Sequence, residues 1–480
     1  MSEHVVVMVF DGLRWDSLSR KLTPNIWALS RAGVRCARSL GEFPTHTRVA
    51  AASLATGCHP NRHGLVANEL YVPWLRANDT LTTGNHRNLQ AVGRTDPNGL
   101  LGVGSIGEIL ASTGKTMAVV SSGSTGSALL NHHTGLGPIF NTKDMIPKSL
   151  TEAAVGRFGP IPTIDSPNNA QNSWLADLLC QELLPERRPT LTHIWINEPD
   201  HIQHQFGIGS SEAVEGIKHA DAMVGRVIET LQQLHIEDTT DVILTADHGF
   251  STGYGEGRMD ERLVEAGLKR EPKSADVIVD SARLHVNDTS DSRSLRLAEW
   301  LTGQSDVGLV FAESETAGKI GCFDRKTVWQ DHHRSSTVMA AGTWDSEVNE
   351  TGFPGRSSIS GTAGHGTASP FDLERTLIMC GPSFAEGVVS DTPCGIIDIA
   401  PTTLSILGVD ESVEMDGRVL RETFRNNHAA PDVAYETMAT QSQEQRLEFA
   451  QVESTRYLLG SAGPDQNLGA PVYGASAALI

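Results

Sequence analysis

Short apolar runs recur along the chain, and stretches with the spacing of amphipathic helices separate them. Each run has the length of a single strand and is rich in β-branched residues, which indicates buried strands. Alternation of such strands with helices predicts an α/β fold with a central, mostly parallel sheet. The predicted strands are His4–Phe10, Thr116–Ser121, Thr192–Asn197, Asp241–Ala246 and Thr376–Cys380.

Capping residues at the start of a segment, and apolar residues at helical spacing within it, indicate the helices between these strands. One helix is expected to begin at Thr23-Pro24, where a capping residue precedes a proline at the first helical position. The other predicted helices are Ile106–Ser112, Asn172–Leu184 and Ser211–Leu234.

The alternation lapses between residues 253 and 360, where charge clusters surround one strand-like and one helix-like segment. A chain of 480 residues is too long for one ordinary core, so we interpret this segment as an inserted α+β cap. The core would then comprise residues 1–252 and 361–426, and a C-terminal extension over 427–480 would cover it or be partly mobile. A polar insertion, Tyr71–Leu100, is expected to loop over the same face.

The charge balance limits the partners of the chain. A formal net charge of −20 argues against coating a nucleic-acid polymer, which requires a basic surface. It does not exclude a phosphate ester as substrate, because bound divalent cations can reverse the local field of an acidic protein. The N-terminal segment lacks a basic start, and no apolar run reaches the roughly 20 residues that span a bilayer. We therefore expect a cytoplasmic protein without membrane attachment, with its six scattered cysteines reduced.

Acidic and imidazole residues fall where strands are predicted to end. Ligands of open α/β sheets bind beyond the carboxyl ends of the strands, so we expect these side chains at one edge of the sheet. His204 lies one helical turn after Asp200, so both can face one point, and His365 would have to reach the edge from a glycine-flanked loop. The constellation consists of Asp11, Asp200, His204, Asp247, His248 and His365.

Six oxygen and nitrogen ligands of this kind suit two hydrolytic metal ions. Imidazole with carboxylate favours zinc, with manganese or iron as alternatives. Two such ions can clamp the attacking and leaving oxygens of an in-line displacement. Thr47 opens an alanine-rich segment that predicts a helix, so its hydroxyl would lie at a helix N-terminus, where anions are favoured. Thr47 is therefore the candidate nucleophile, which a bound metal would have to activate.

Five segments occur in an order that points to one family. They are VFDGLRWD, FPTHT with SLATGCHPNRHGLVAN, EPDHIQHQFG, TADHGF and GHGTASPFDLERTLIMCGPSF. The chain resembles the alkaline phosphatase superfamily and, within it, the type I phosphodiesterase/nucleotide pyrophosphatase family. The resemblance implies cleavage of a phosphate ester through a phosphorylated threonine. The ligand sets that it implies are Asp200, His204 and His365 for one metal ion, and Asp11, Thr47, Asp247 and His248 for the other.

The resemblance leaves the substrate open. Counting back nine residues from Thr56, as in the family, places the nucleophile at Thr47 rather than at Thr45. Nucleotide pyrophosphatases of the family carry an asparagine donor three residues after the nucleophile, where this chain has Ala50. Another donor must replace it, and Arg48 is a candidate.

A second relative, phosphonoacetate hydrolase, shares the metal set but grips its substrate with lysines after an early strand. Here that region reads SSGSTGSALLNHH, whose serines, Ser122 among them, could cradle an oxyanion. Asn68 is interpreted as a turn residue or a substrate contact. The pair His332-His333 in the cap is interpreted as solvated or in contact with substrate, and Arg334 as solvated.

We therefore expect an enzyme that hydrolyses a small phosphate or phosphonate ester, with a phosphate diester as the first hypothesis. Carbon–phosphorus cleavage of a phosphonate, or hydrolysis of a monoester, on the same metals is the alternative. An inactive, metal-structured binding protein is a third hypothesis, and the complete ligand set argues against it. The oligomeric state stays open, and a homodimer is compatible with the sequence.

Overall fold

An eight-stranded sheet forms the centre of the computed structural model, which describes residues 2–286, 291–409, 414–426, 429–442, 444–462 and 468. In order across the sheet, its strands are β21 (Val388–Ser390), β2 (Val34–Cys36), β20 (Leu377–Cys380), β9 (Thr240–Thr245), β1 (His4–Phe10), β8 (Leu191–Ile196), β6 (Met117–Ser121) and β7 (Ile139–Asn141). Strand β20 runs antiparallel to both of its neighbours, whereas the other neighbouring strands pair in parallel. The predicted α/β fold with a mostly parallel sheet is therefore confirmed.

Strand β1 shows why the apolar runs predict buried strands. Val5 and Val7 belong to the hydrophobic cluster on one face of the sheet, whereas Val6 and Met8 belong to the cluster on the other face. Successive side chains of a strand point to opposite faces, so a run that is apolar throughout indicates a layer on each side.

Helices form those two layers. The helices of the described residues are α1 (Pro24–Ala32), α2 (Thr47–Thr56), α3 (Pro60–His63), α4 (His86–Thr95), α5 (Ile106–Ser112), α6 (Thr125–Asn131), α7 (Ser149–Phe158), α8 (Asn169–Leu178), α9 (Asp200–Phe206), α10 (Ser211–Gln233), α11 (Met259–Glu265), α12 (Asp291–Thr302), α13 (Ser314–Ile320), α14 (Pro370–Leu373) and α15 (Ile399–Ile406). Residues of α1, α8 and α10 cover one face of the sheet, and residues of α2, α5, α6 and α15 cover the other.

The predicted helix boundaries hold to different degrees. Helix α5 has the predicted bounds, and α10 ends one residue earlier than predicted. Helix α8 begins before the predicted start and passes into a π-helical segment, Leu179–Arg187, that contains Pro185. At α1 the expected cap differs, because the Thr23 hydroxyl donates to the carbonyl of Ser19 instead of accepting from the first turn.

The segment predicted as a cap contains its own sheet and hydrophobic cluster. Helices α11, α12 and α13 contribute to this cluster together with strands of the sheet. In order across the sheet, these strands are β11 (Ile278–Asp280), β12 (Arg283–His285), β15 (Val338–Gly342), β13 (Val307–Ala312) and β14 (Phe323–Asp324). We call this unit, residues 253–360, the cap throughout.

A second, four-stranded sheet connects the cap with the core. Its strands, in order, are β16 (Trp344–Val348), β17 (Pro354–Ser360), β10 (Ser251–Gly255) and β18 (Ala363–Gly364). Strand β10 leads into the cap and β18 leads out of it, and the two are hydrogen-bonded to each other. The chain therefore enters and leaves the cap side by side.

Three smaller pieces complete the described fold. The polar insertion Tyr71–Leu100 contains helix α4 in its second half, and Leu81–Thr82 (β5) pairs with Glu69–Leu70 (β4). The described part of the C-terminal extension forms a meander of β23 (Val433–Ala439), β24 (Arg446–Val452) and β25 (Thr455–Ala462), whose apolar side chains join the core. The Gly/Ala-rich end lies outside the described residues. A three-stranded sheet of β19 (Glu374–Arg375), β3 (Ser39–Leu40) and β22 (Cys394–Gly395) flanks the core. No helix among the described residues combines the length and apolar character needed to cross a bilayer.

Arg334 fastens the cap to the core. The sequence predicted a solvated side chain, but only 2% of Arg334 is exposed. Its Nε donates to the carboxylate of Asp96 at 2.9 Å, and its terminal nitrogens donate to the carbonyls of Gly64, Gly99 and Leu100. One buried guanidinium thus satisfies four acceptors of the core, which a pattern along the cap alone cannot reveal.

We expect Arg334→Met to lower the free energy of unfolding by about 3 to 5 kcal/mol, because the buried Asp96 carboxylate keeps only His333 and the N–H of Asn98, and three core carbonyls lose their donor. Equilibrium unfolding in urea measures this loss. The matched control is Arg296→Met, an exposed arginine on α12, which should change the free energy of unfolding by less than about 0.5 kcal/mol. Equal losses in the two variants would contradict the role of Arg334 at this joint.

Candidate active site

The candidate site lies at the carboxyl edge of the central sheet. Asp11 directly follows β1, Asp247 and His248 follow β9, and Asp200 begins α9 shortly after β8. Because β9, β1 and β8 are parallel neighbours, their ends bring these residues to one place. A backbone hydrogen bond from Asp200 N to the Asp11 carbonyl, 2.9 Å long, ties two of these strand ends together.

His365 reaches this edge from the loop that follows β18. Its Nδ1 donates to the carbonyl of Thr45. The Thr45 hydroxyl accepts from Gly366 N at 2.7 Å and donates to the carbonyl of Thr367 at 3.2 Å. The loop is therefore held by Thr45, which explains how a residue beyond the cap arrives at the sheet edge.

The ligand atoms form two adjoining groups. In the first, His248 Nε2 lies 3.4 Å from Asp11 Oδ1 and 3.2 Å from Asp247 Oδ2. In the second, Asp200 Oδ1 lies 3.3 Å from Nε2 of His204 and 3.3 Å from Nε2 of His365. The rings of His248 and His365 stack with centroids 3.6 Å apart, so the two groups touch. His248 is also near enough to Asp200 and His365 to contribute to the second group.

The carboxylates lack the donors that buried anions require. Within the described residues, Asp11 Oδ1, Asp200 Oδ1 and Asp247 Oδ2 are all buried without a hydrogen-bond partner. Burial, together with the charges of Asp247 and Asp200, raises the pKa of Asp11 well above its usual value. Burial also acts to raise the pKa of Asp200, but His204 and His365 outweigh it and hold that pKa well below its usual value. Unpaired carboxylate oxygens in a buried cluster fit bound cations.

The three histidines present their Nε2 atoms to the carboxylates. Nδ1 of His248 donates to the carbonyl of Gly249 at 2.9 Å, and Nδ1 of His204 donates to the carbonyl of Ala363 at 3.0 Å. His365 donates to Thr45 in the same way. A carbonyl only accepts, so each Nδ1 carries a proton, and in the neutral ring each Nε2 offers its lone pair to a metal ion. Burial lowers the pKa of His248 to about 4, against the opposing charge of Asp247, which favours the neutral ring.

Of the two candidate threonines, Thr47 is the one whose hydroxyl faces the ligand groups. Thr47 is the first residue of α2, and its Oγ1 lies 3.5 Å from Nε2 of His248. The hydroxyl of Thr45, by contrast, is engaged by the His365 loop. The placement of Thr47 brings a hydroxyl, a helix N-terminus and two carboxylate–imidazole groups together.

Two side chains near Thr47, those of Asn68 and Arg48, have N–H groups that make no hydrogen bond within the described residues. Asn68 Oδ1 accepts from the backbone N–H of Arg48 at 3.2 Å, so the amide NH₂ of Asn68 remains to donate. Nε of Arg48 is buried without a hydrogen-bond partner. Burial lowers the pKa of Arg48, and the charges of Asp11 and Asp200 oppose that effect, which places the guanidinium in the field of the ligand groups. Asn68 can supply the amide donor that is missing at Ala50.

The other two predicted substrate contacts have different surroundings. The Ser122 hydroxyl donates to Asn197 Oδ1 at 2.8 Å and accepts from Asn197 N at 3.1 Å, so it links the ends of β6 and β8. The ring of His332 lies against Gly64, where an added Cβ would come within 2.8 Å of it. His332 therefore belongs to the joint around Arg334, and none of the contacts in the described residues brings it to the ligand groups.

Sequence reasoning missed the residues that orient the ligands. Nε1 of Trp195 donates to Asp11 Oδ2 at 3.1 Å, and Gly12 N donates to Asp247 Oδ1 at 3.0 Å. Phe250 packs against His204 and His365 with ring centroids 4.9 Å and 5.4 Å away. A tryptophan near the end of an otherwise aliphatic strand was the available signal for the first of these contacts.

An α/β sandwich with this pair of candidate metal-binding groups gives the chain an alkaline phosphatase-like fold. Its family follows from the sequence comparison. Residues 5–344, more than half of the chain, match the model of "Type I phosphodiesterase / nucleotide pyrophosphatase". The chain belongs to this family.

Individual relatives are distant. Venom phosphodiesterase 2 of Crotalus adamanteus is 26% identical over 255 residues, which cover 51% of this chain and 26% of that protein. Ectonucleotide pyrophosphatase/phosphodiesterase family member 7 of Rattus norvegicus is 23% identical over 252 residues, covering 52% of this chain and 51% of that protein. The match thus spans about a quarter to a half of the length of these relatives.

Solved structures have folds similar to that of this chain over most of its length. Inactive murine ectonucleotide pyrophosphatase/phosphodiesterase 5 in complex with AMP has a TM-score of 0.63 at 16% identity, covering 88% of this chain and 100% of that one. The alkaline phosphatase PafA has a TM-score of 0.68 at 15% identity, covering 88% and 99%. Both likenesses concern the fold alone.

We expect Asp247→Asn to raise the thermal midpoint of chelator-treated protein above that of treated wild type, because one of three crowded buried carboxylates loses its charge. Added zinc should stabilise the wild type by preferential binding to the folded state, and the variant less. Differential scanning fluorimetry measures the midpoints, and elemental analysis measures bound metal. The control Asp79→Asn, at an exposed carboxylate, should behave as wild type. A lower midpoint for chelated Asp247→Asn would contradict the repulsion argument.

Proposed function

We propose that the chain is a two-metal phosphodiesterase that transfers the phosphoryl group of a small diester to Thr47 and then to water. The observation that carries this proposal is the meeting of unpaired carboxylate oxygens with imidazole Nε2 atoms beside the Thr47 hydroxyl. The family, and relatives that are phosphodiesterases and nucleotide pyrophosphatases by name, support the same chemistry.

Zinc is the metal that we propose for both positions, because neutral imidazole with carboxylate is a ligand set that it favours. When bound, the ions would lower the pKa of the Thr47 hydroxyl and neutralise charge on the leaving oxygen. The proposed ligands are Asp200, His204 and His365 at one position, and Asp11, Thr47, Asp247 and His248 at the other.

The reaction proceeds in two displacements at phosphorus. In the first, Thr47 Oγ1 forms a bond to phosphorus while the bond from phosphorus to the leaving oxygen breaks, and the alcohol departs with a proton. In the second, water attacks the phosphothreonine, which releases the phosphate monoester and restores the Thr47 hydroxyl. The N-terminus of α2 and the amide of Asn68 donate to the non-bridging oxygens throughout.

One observation favours a second candidate function. A phosphate monoester or a phosphonate carries one more charged oxygen than a diester, and the buried Arg48 Nε has no partner within the described residues. An unpaired guanidinium beside the phosphoryl group would suit that additional charge. Hydrolysis of a monoester or of a phosphonate such as phosphonoacetate is therefore the alternative.

We expect Thr47→Ala to abolish diester turnover while metal content stays at the wild-type level, because the nucleophile is removed and Asp11, Asp247 and His248 still offer three ligands at that position. The matched control is Thr45→Val, which keeps the nucleophile and removes only the hydroxyl that holds the His365 loop. Steady-state rates and elemental analysis on the same preparations check both. Turnover by Thr47→Ala with bound metal would refute a threonine nucleophile.

Substrate class is tested by rates on bis(p-nitrophenyl) phosphate, p-nitrophenyl phosphate and phosphonoacetate. We expect the diester to be preferred by a hundredfold or more in kcat/KM, about 2.7 kcal/mol in the transition state. Arg48→Met should then have a small effect on the diester. Preference for the monoester or phosphonate, lost in Arg48→Met, would establish the alternative function instead.

A further inference from the structure

A cavity of about 320 Å³ lies between the cap and the core. Its core side is formed by His46, His204 and the loop of His365, and its cap side by residues of β12, β13, β15 and α11. A volume of this size suits a small organic ligand. The cavity therefore opens onto two of the proposed metal ligands but is completed by the cap.

The cavity lies on the side from which a leaving group would depart. The Thr47 hydroxyl faces His248, and the His248 ring stacks on His365. The ring of His204 lies next to the ring of His365, with centroids 5.2 Å apart. An in-line displacement places the leaving oxygen opposite the attacking one. A diester attacked by Thr47 thus directs its leaving group toward His365 and His204, which line the cavity, whereas Thr47 and His248 do not.

Arg283 presents an oriented guanidinium to this cavity. A two-residue turn, Ser281-Ala282, joins β11 to β12 and pairs Asp280 with Arg283 across the hairpin. Asp280 Oδ2 accepts from Nε of Arg283 at 2.9 Å and from Nη2 at 2.7 Å. In the part of the chain that the structure describes, Nη1 of Arg283 makes no hydrogen bond. The carboxylate thus holds the guanidinium from one side and leaves a pair of N–H donors for a ligand.

The rest of the lining defines what such a ligand looks like. Asp306 is the acidic side chain that lines the cavity within the described residues, and Arg262 engages it through two hydrogen bonds of 2.7 Å and 2.8 Å. Nδ1 of His46 accepts from the backbone N–H of Asn68, so the ring is fixed as it faces the cavity. The apolar lining residues are Met259, Ala282, Val307, Ala340, Ala341, Ile359 and Ala363.

We propose that this cavity binds the leaving group of the diester, and that Arg283 selects a leaving alcohol with an apolar body and an anionic end. The proposal rests on the proposed phosphodiester cleavage at Thr47 and specifies its substrate class. A guanidinium binds a carboxylate or a phosphate through parallel hydrogen bonds, so either anion satisfies the chemistry.

The test compares leaving groups that differ chiefly in charge, and it measures the same pair in wild type and in each variant, so that the difference in phenol acidity between the two esters cancels. Methyl 3-carboxy-4-nitrophenyl phosphate is compared with its carboxamide analogue, and both release a coloured phenol. Wild type should prefer the carboxylate by about tenfold to a hundredfold in kcat/KM, which corresponds to one charge-assisted hydrogen bond. Methyl 4-nitro-3-phosphonophenyl phosphate, compared with the same carboxamide, tests a phosphate-type anion on the same apolar leaving group.

Arg283→Gln should lower kcat/KM for the carboxylate by about tenfold to a hundredfold and kcat/KM for the carboxamide by less, so that the preference disappears. Because this variant leaves Asp280 without its partner, Asp280→Asn/Arg283→Gln is measured beside it, and the same loss is expected. Arg296→Gln, which removes an exposed charge elsewhere on the cap, should keep the preference. A wild-type enzyme that is indifferent to both the carboxylate and the phosphonate, or a preference that survives in both Arg283 variants, overturns the proposal.

Binding of the free phenol separates this proposal from the proposed function. Isothermal titration of the Thr47→Ala protein with 5-hydroxy-2-nitrobenzoate requires the cavity but no turnover. Binding that is lost in Thr47→Ala/Arg283→Gln supports the cavity even if no diester is hydrolysed. Turnover of the carboxamide diester without Arg283-dependent binding supports the phosphodiesterase and refutes the selection by Arg283.

Discussion

Mutual repulsion among three buried carboxylates is the constraint around which the rest of the site is built. Asp11, Asp200 and Asp247 are delivered to one edge by parallel strands, and each keeps an oxygen without a donor. Burying each of these negative charges costs several kcal/mol unless a nearby positive charge compensates for the lost hydration. Trp195 donates to Oδ2 of Asp11, and the backbone N–H of Gly12 donates to Oδ1 of Asp247. The other oxygen of each carboxylate therefore remains available to a cation. The histidines are turned so that their lone pairs point inward.

The two parts of the chain divide the work of this site. The core supplies the buried carboxylates from strand ends, and the proposed nucleophile, Thr47, from the first residue of α2. The described residues of the cap supply no member of the two groups, and instead close one side of the cavity with Arg283. Arg334 and the sheet of β10 and β18 keep the two parts in register. A change in the cap can therefore alter the accepted ester without disturbing the groups that would hold the metals.

The features that sequence reasoning reached are those set by local pattern. The strand ends at Asp11 and Asp247 were predictable because an apolar run identifies a buried parallel strand. The residues that face a site at the sheet edge directly follow the end of such a strand. The antiparallel course of β20 was not predictable, since strand direction leaves no trace in an apolar tetrapeptide. The burial of Arg334 and the availability of the Asn68 amide were equally hidden, because both depend on partners far away in sequence or on a backbone N–H.

The position of His365 in the chain has a kinetic consequence. Its ring is anchored to Thr45, a residue 320 positions earlier, and the whole cap intervenes. Contacts of such long separation form late, because closing the loop between them is entropically unfavourable until both ends are ordered. During synthesis the core strands emerge with their carboxylates before the last imidazole exists. A nascent chain that ends before the His365 loop thus carries the acidic edge, which attracts metal ions, but lacks one of its imidazoles. The site is complete only after this loop has been synthesised and has bound to Thr45.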